Sequence, residues 1–370
     1  MLSYIVRRLL LVIPTLFVII LLNFVLVQFA PGGPVEQAIA QIQGTAIEAT
    51  ARVAGQAGEQ TKGGGIDRAA GSGEGGSRYR GARGLDPQLI KDLERQFGFD
   101  KPAHERFVVM IGNYLKFDFG QSFHQGRSVV ELVIEKLPVS ISIGVWTTLL
   151  VYFISIPLGI AKAVRDGAPF DVWTSVVVIV GAAIPEFLFA ILLIVLFAGG
   201  SFFDIFPLRG LVSSDWYELS WPMRILDYLW HMVLPISAMV IGGFAGLTML
   251  TKNSFLEELN KQYVLTARSK GLEERRILYG HVFRNAMLIV VAGFPGAFIG
   301  ILFGSSLLIE VIFSLDGLGL LGFEAVINRD YPIVFGSLYV FTLLGLIMGI
   351  IGDVMYHVVD PRIDFEAREI

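Results

Sequence analysis

Residues His231–Thr251 read HMVLPISAMVIGGFAGLTMLT, and Lys252–Asn285, following without a break, read KNSFLEELNKQYVLTARSKGLEERRILYGHVFRN. The first stretch holds no Asp, Glu, Lys or Arg over the roughly 20 residues that a helix needs to cross a bilayer's hydrocarbon core. The second carries seven Lys and Arg. A spanning helix that runs into a long basic segment predicts a membrane protein with that segment on the cytoplasmic side. Five more stretches have spanning length: Leu9–Ala30, Pro138–Ala161, Val172–Ala198, Ala286–Ile309 and Pro332–Val358. The last two contain many Gly and single polar residues, which bundled helices use for close approach. The fold class read from these stretches is all-α and polytopic, with six transmembrane helices.

Composition agrees. Of 370 residues, 54% are hydrophobic and 17% charged, and the mean hydropathy is +0.64. Soluble proteins average roughly 45–50% apolar and about 25% charged. Disordered, collagen-like and nucleic-acid-binding classes are excluded by this hydrophobicity and by the lack of a sustained basic block. With no cysteine, disulfides, thiolate metal sites and cysteine nucleophiles are excluded too. The first apolar run is about 22 residues, against roughly 7–15 for a secretory signal, and Phe29-Ala30-Pro31 is a poor cleavage site, so an uncleaved first span is expected.

Orientation follows from the short loops. With the N-terminus inside, the inner segments hold thirteen Lys and Arg (Arg7, Arg8, Lys162, Arg165, seven over 252–285, Arg362, Arg368), and the short outer loops hold three (Arg209, Arg224, Arg329). Both termini are therefore predicted cytoplasmic. This gives residues 1–30 as N-terminus and first span, 31–137 as an outer segment, 138–358 as a five-helix core, and 359–370 as a cytoplasmic tail. Within the outer segment, 44–84 is Gly-, Ala-, Ser- and Gln-rich, with 11 glycines between Gly55 and Gly84, and reads as a flexible insertion. Over 85–137, Leu89, Leu93 and Phe97, then Phe107, Met110, Ile111 and Tyr114, recur at helical spacing and predict two short amphipathic helices.

Chemistry-bearing motifs are missing. There is no G-x-x-x-x-G-K-[ST], no H-E-x-x-H and no G-x-S-x-G, and His104, His124, His231, His281 and His357 are scattered. No catalytic residue, metal site or resident cofactor is expected. Ionisable groups in or near spans are the remaining candidates, because a charge in lipid is costly. Glu186 follows Pro185 in mid-span and has two readings: a side chain lining a polar translocation pathway, or a carboxyl hydrogen-bonded inside the bundle beside a proline break. The first reading also allows a proton-coupled secondary carrier with Glu186 as relay. Glu310 and Asp353 lie near span ends, where interfacial capping or snorkelling explains them. Asn23 and Gln28 have two readings, helix-bridging groups or substrate-binding groups.

In the inner segment 252–285, Leu256, Leu259, Tyr263, Ala267 and Gly271 form a helical stripe that Gly271 would stop. A short amphipathic helix fits, resting on headgroups or inserted into a groove on a cytosolic partner.

The residues Tyr263-Val264-Leu265-Thr266-Ala267-Arg268-Ser269-Lys270-Gly271 resemble the signature loop of permease subunits from binding-protein-dependent ABC importers of the dipeptide/oligopeptide/nickel class. The resemblance extends to Tyr4–Leu9 with Ala30–Pro34, Phe97–Pro102, Phe117–Ser122, His281–Ala286, Glu310–Ser314, Gly317–Gly319, Arg329–Pro332 and Asp360–Arg362. It covers nearly the whole chain except about 44–84. Leu288-Ile289 stands where the family often has a Leu-Pro pair. The Gly-rich insertion and Phe206–Leu211 resemble the microcin C/oligopeptide permease branch.

This resemblance implies the type I importer permease fold, with an extracytoplasmic insertion after the first span, in a bacterial inner (cytoplasmic) membrane. It implies import of peptides or peptide-like compounds delivered by a periplasmic substrate-binding protein. The implied partners are a second homologous permease and two ATP-binding subunits or one fused ATPase, which bind ATP and Mg in place of this chain. No nucleic acid is implied. Tyr263, Val264, Thr266, Ala267, Arg268, Lys270 and Gly271 would be the coupling helix, with Tyr263, Ala267 and Gly271 as its close-packed face and Arg268 and Lys270 as its polar rim.

Overall fold

In the computed structural model, residues 2–29, 88, 101–198, 200, 202–301 and 307–359 are described. The Gly-rich segment 44–84, the helix expected over Leu89–Phe97 and the tail 360–370 lie outside them. Five helices are long and apolar enough to span a membrane, and a bent pair makes a sixth crossing if taken together. They are α1 (Leu2–Phe29), α3 (Val129–Val164), the pair α4 (Pro169–Ala183) and α5 (Glu186–Phe197), α6 (Trp221–Leu259), Glu274–Gly300 and α13 (Tyr331–Val359). Among the described residues the remaining regular structure is also helical, apart from one isolated bridge between Gln121 and Ser128.

The third predicted span is not one helix. α4 and α5 meet at 92°. Pro185 has no N–H to donate to the preceding turn, and a proline disfavours helical backbone in the residue before it. Ile184 is accordingly extended, with φ −85° and ψ 119°.

Contacts divide the chain into two compact units, one of residues 1–10, 135–320 and 341–370, the other of 11–134 and 321–340. In the first unit, α4, α5 and the helix Phe283–Ala292 (α9) all pack on α6. Two apolar clusters hold this unit. One gathers Ile143, Ala190, Met232, Met239, Ile309 and Phe313; the other gathers Ile160, Phe255, Val264, Ile277, Val282 and Val290. Between α3 and α6 the backbones nearly touch: a Cβ on Gly159 would lie 2.6 Å from Thr251 Cβ and 2.8 Å from the Thr248 carbonyl. Asp353 pairs with Arg8 at 3.0 Å.

Glu310, expected near a membrane interface, is instead fully buried. It accepts hydrogen bonds from the Ser140 hydroxyl (3.2 Å) and the Leu320 N–H (2.7 Å). Ser140 Oγ in turn accepts the Leu318 N–H at 2.8 Å. The carboxylate and the Ser140 hydroxyl thus each take one of the free donors that begin the helix Leu318–Asn328 (α12). Gly317 leaves room for it, since a Cβ there would lie 2.5 Å from Glu310 Cδ.

In the second unit, the helix Ala103–Leu115 (α2) is the second of the two predicted outer helices. Its Phe107 ring lies 5.8 Å from Phe17 and 5.2 Å from Phe24. Tyr114, Phe119 and Tyr339 form an aromatic cluster with centroid separations of 5.0–5.4 Å. The Ser122 hydroxyl donates to buried Asp330 at 2.6 Å, bringing together two motifs 208 residues apart. Asn23 is fully buried, and among the described residues its amide bonds no partner.

Candidate functional site

The helix α6 has 39 residues, about 58 Å at 1.5 Å per residue, against a hydrocarbon core of about 30 Å. It therefore overshoots the apolar stretch, and Lys252–Leu259 are its last two turns. The expected loop is thus mostly helical: Asn260 and Lys261 interrupt it, and α7 (Gln262–Ser269) follows. The stripe predicted from Leu256 to Gly271 is split between the end of α6 and α7.

Helix α7 is fixed on its inner side. Val264 and Ala267 are buried against Ile160, Phe255, Ile277 and Val282. Ile277 and Val282 are five apart and would be rotated by roughly 140° on an α-helix. A π turn over Leu278–Val282 widens the backbone so that both are buried.

Charge pairs hold both ends of α7. At its start, Lys261 pairs with Glu258, and the Tyr263 hydroxyl donates to Glu258 Oε2 at 2.7 Å and accepts from Asn285 Nδ2 at 3.4 Å. The Glu258 carboxylate holds the Lys261 ammonium above its ordinary pKa, and burial raises the Tyr263 phenol. At its end, Arg268 makes a two-pronged contact with Glu274 at 2.7 and 3.1 Å, which raises the guanidinium further. The chain then leaves through Gly271 at φ +75°. The Leu272 N–H bonds the Ala267 carbonyl at 3.3 Å and the Gly271 N–H bonds the Arg268 carbonyl at 2.9 Å, the paired closure of a Schellman turn.

The predicted coupling residues therefore share one helix but not one face. Val264 and Ala267 face the chain's own core, and Tyr263 is half-buried. Thr266, Arg268, Lys270 and Gly271 are exposed. So is Leu265, 55% exposed, which the sequence reading passed over. Its signal was present: in an eight-residue helix with Val264 and Ala267 inside, the apolar residue between them must point out.

A second missed cluster braces the same end of the unit. Lys162, fully buried, pairs with Asp171 Oδ1 at 2.9 Å and donates to Thr174 Oγ1 (3.0 Å) and Ser175 Oγ (2.6 Å). Lys252 pairs with Asp171 Oδ2 at 2.7 Å and Asp166 Oδ1 at 2.8 Å. These pairs tie α3 and α4 to the turn of α6 that leads to α7.

Glu186 and Pro185 lie elsewhere, in the α4–α5 break. The half-buried Glu186 side chain packs on Gly242 of α6, where a Cβ would lie 2.6 Å from Glu186 Cγ. Gly242 precedes Glu258 by 16 residues, roughly 24 Å along the helix, so the break and α7 are separate places on one strut. Among the described residues no cluster of three or more His, Asp or Glu offers a metal site.

A multi-pass bundle of long apolar helices that fastens a short helix at the end of one long strut is a membrane protein. Residues 155–365 match the profile of the binding-protein-dependent transport system inner membrane component, and the chain belongs to that family. It is 60% identical over 368 residues, with 100% of both chains covered, to the peptidoglycan transport system permease protein YejB of Agrobacterium fabrum. It is 58% identical over 366 residues, covering 99% of this chain and 100% of the other, to the inner membrane ABC transporter permease protein YejB of Escherichia coli O157:H7. The oligopeptide transport system permease protein AppB of Bacillus subtilis is 30% identical over 370 residues, with 99% and 100% covered. The protein is a multi-pass inner-membrane transport component rather than an enzyme, and the family selects this reading over a self-contained proton-coupled carrier.

Proposed function

We propose that this chain is one of two membrane-spanning subunits of an ATP-driven importer of peptides or peptide-like compounds, microcin C-like peptides among them. A periplasmic binding protein delivers the solute. Two ATP-binding subunits, or one fused ATPase, hydrolyse ATP in trans, and a second, homologous permease completes the pathway. Both termini are cytoplasmic, following the Lys and Arg bias of the loops. The substrate class rests on the oligopeptide and peptidoglycan transport named for its relatives.

The observation that carries the coupling reading is the state of α7. A helix transmits a push only if its own base does not yield. Here Val264 and Ala267 are buried, both ends are held by ion pairs, and Leu265, Thr266, Ser269 and Lys270 are left open. Thr266, Arg268 and Lys270 would border the ATPase groove around Leu265, while Tyr263, Val264 and Gly271 keep the helix in place.

The test is reconstitution of the permease pair and ATPases in liposomes with the binding protein. Labelled oligopeptide is expected to accumulate only with ATP and all components present. Uptake driven by a pH gradient without the ATPases would sink the proposal.

A further inference from the structure

The turn that follows α7 carries more positive charge than the chain itself neutralises. Over residues 268–276 four Lys and Arg stand against two Glu. Arg268 takes Glu274 at 2.7 Å, which leaves Lys270, Arg275 and Arg276 against Glu273. All four residues are exposed, and among the described residues none of their side chains has an ion pair. The start of α7 is different, because Lys261 there pairs with both Glu257 and Glu258. The surplus is therefore confined to the end of α7. Lys270 and Arg276 are six residues apart, so their Cα atoms are separated by at most about 22 Å. A docking surface of roughly 800 Å² per partner covers that distance.

Anionic headgroups and an acidic protein surface are the two chemistries that answer such charge, and depth decides between them. The apolar stretch of α6 ends at Thr251, and the next residue, Lys252, is paired with Asp166 and Asp171. The Ser254 hydroxyl donates to the Ala286 carbonyl at 2.6 Å, so the apolar stretch that begins at Ala286 starts near the same level. Two helices thus place one border of the hydrocarbon. Arg275 and Arg276 precede Ala286 by 11 and 10 residues along the helical segment Glu274–Gly300, about 15 Å at 1.5 Å per residue. The headgroup layer is only roughly 5–8 Å deep, and charge is screened over about 8 Å at physiological ionic strength. The backbone of the two arginines stands beyond that layer, and the partner they fit is a protein.

We propose that Lys270, Arg275 and Arg276 form a basic rim for the ATP-binding subunit, which carries an acidic surface beside the groove that takes Leu265. This rests on the coupling reading above and deepens it by giving the partner's chemistry. Leu265 supplies the apolar anchor, and the rim steers the subunit onto it, since rim charges act mainly on the association rate and its salt dependence. Arg275 and Arg276 lie outside the residues that the sequence marked for coupling.

The permease pair in phosphatidylcholine nanodiscs, mixed with purified ATP-binding subunits, tests it by stopped-flow association at about 50 and about 500 mM NaCl. The wild-type rate constant should be at least about fivefold higher at the lower salt. Arg275→Gln/Arg276→Gln should be at least about threefold slower than wild type there and equal to it at the higher salt. Arg275→Lys/Arg276→Lys, which keeps the charge, should follow wild type. Equal rates for the Gln variant and wild type at both salt concentrations overturn the proposal. A slowing that persists at the higher salt overturns it too, because a lost contact or a damaged fold is not relieved by screening. So does a Lys variant as slow as the Gln variant. A difference that appears only when about a third of the lipid is phosphatidylglycerol assigns the patch to headgroups and overturns it. If wild type binds no ATP-binding subunit at either salt, the importer reading itself falls; binding with an unchanged salt response in the Gln variant removes only the acidic complement.

Discussion

Helix α7 and the α4–α5 break both lie where a long helix stops and the chain changes direction, and they are finished in opposite ways. Around α7 the packing is complete: apolar residues fill its inner face, Glu258 and Glu274 hold its ends, and Gly271 closes its last turn. At the break a proline opens the backbone, and among the described residues Glu186 and the Ala182 and Ala183 carbonyls have no hydrogen-bond partner. On the proposed coupling reading α7 transmits force, and such a part must be satisfied within its own subunit, because any slack is lost motion. On the reading of Glu186 as a pathway residue, the break instead keeps groups unsatisfied for a passing solute.

Substitutions on the two faces of α7 put this contrast at risk most directly. Ala267→Glu places a carboxylate among the apolar side chains of Ile160, Phe255 and Val282, and such burial costs roughly 3 kcal/mol or more. The expected result is loss of folded protein, seen as aggregation on size-exclusion chromatography in detergent. If the variant is monodisperse and merely fails to hold its ATPase, Ala267 faces the partner and the inner-face assignment is wrong. Leu265→Asp should do the reverse. The permease should keep its thermal midpoint and lose ATPase binding by at least about tenfold in a pull-down, equivalent to roughly 1.4 kcal/mol. Unimpaired binding would move the docking surface off α7.

Gly271→Ala comes next. Its φ of +75° suits glycine, and a residue with a Cβ in left-handed backbone costs about 1–2 kcal/mol. Nothing lies within 4 Å of an added Cβ there, so the loss is conformational and Gly271→Asn should recover part of it. The measurement is the thermal midpoint of the two variants side by side. Equal losses would point to a contact instead of backbone strain.

What was legible in the sequence was set by periodicity and length. Six apolar stretches gave the spans, and Gly271 gave the stop of α7, because both signals are local. The ends of α3 and α6 were not legible: each helix runs a turn or more past its apolar stretch into charged residues. Lys252, for instance, reads as loop until Asp166 and Asp171 are seen to take its charge. The direction of α7 was hidden for a similar reason. A stripe of Tyr263, Ala267 and Gly271 says that one face is apolar but not whose core fills it; that depends on Ile160, some hundred residues earlier. Glu310 looked interfacial because its partners, Ser140 and the Leu320 N–H, are brought to it by the fold. Pro185 announced a break, and only the structure gives its 92° angle.

The smallest expected effect sharpens what it means for α7 to be held. Arg268 and Glu274 are well aligned but open to solvent, with side chains 43% and 68% exposed, and exposed pairs contribute about 0.2–1 kcal/mol that salt screens. Arg268→Ala should therefore barely move the thermal midpoint. Its consequence should appear in coupling: the end of α7 would lose one of its two tethers, so ATP hydrolysis should continue while solute moved per ATP falls. That ratio, measured in proteoliposomes at low and high salt, should approach the wild-type value at high salt, where the wild-type tether is itself weakened. A variant with reduced hydrolysis and an unchanged ratio would show that Arg268 acts only through its contact with the ATPase and does not steady the helix.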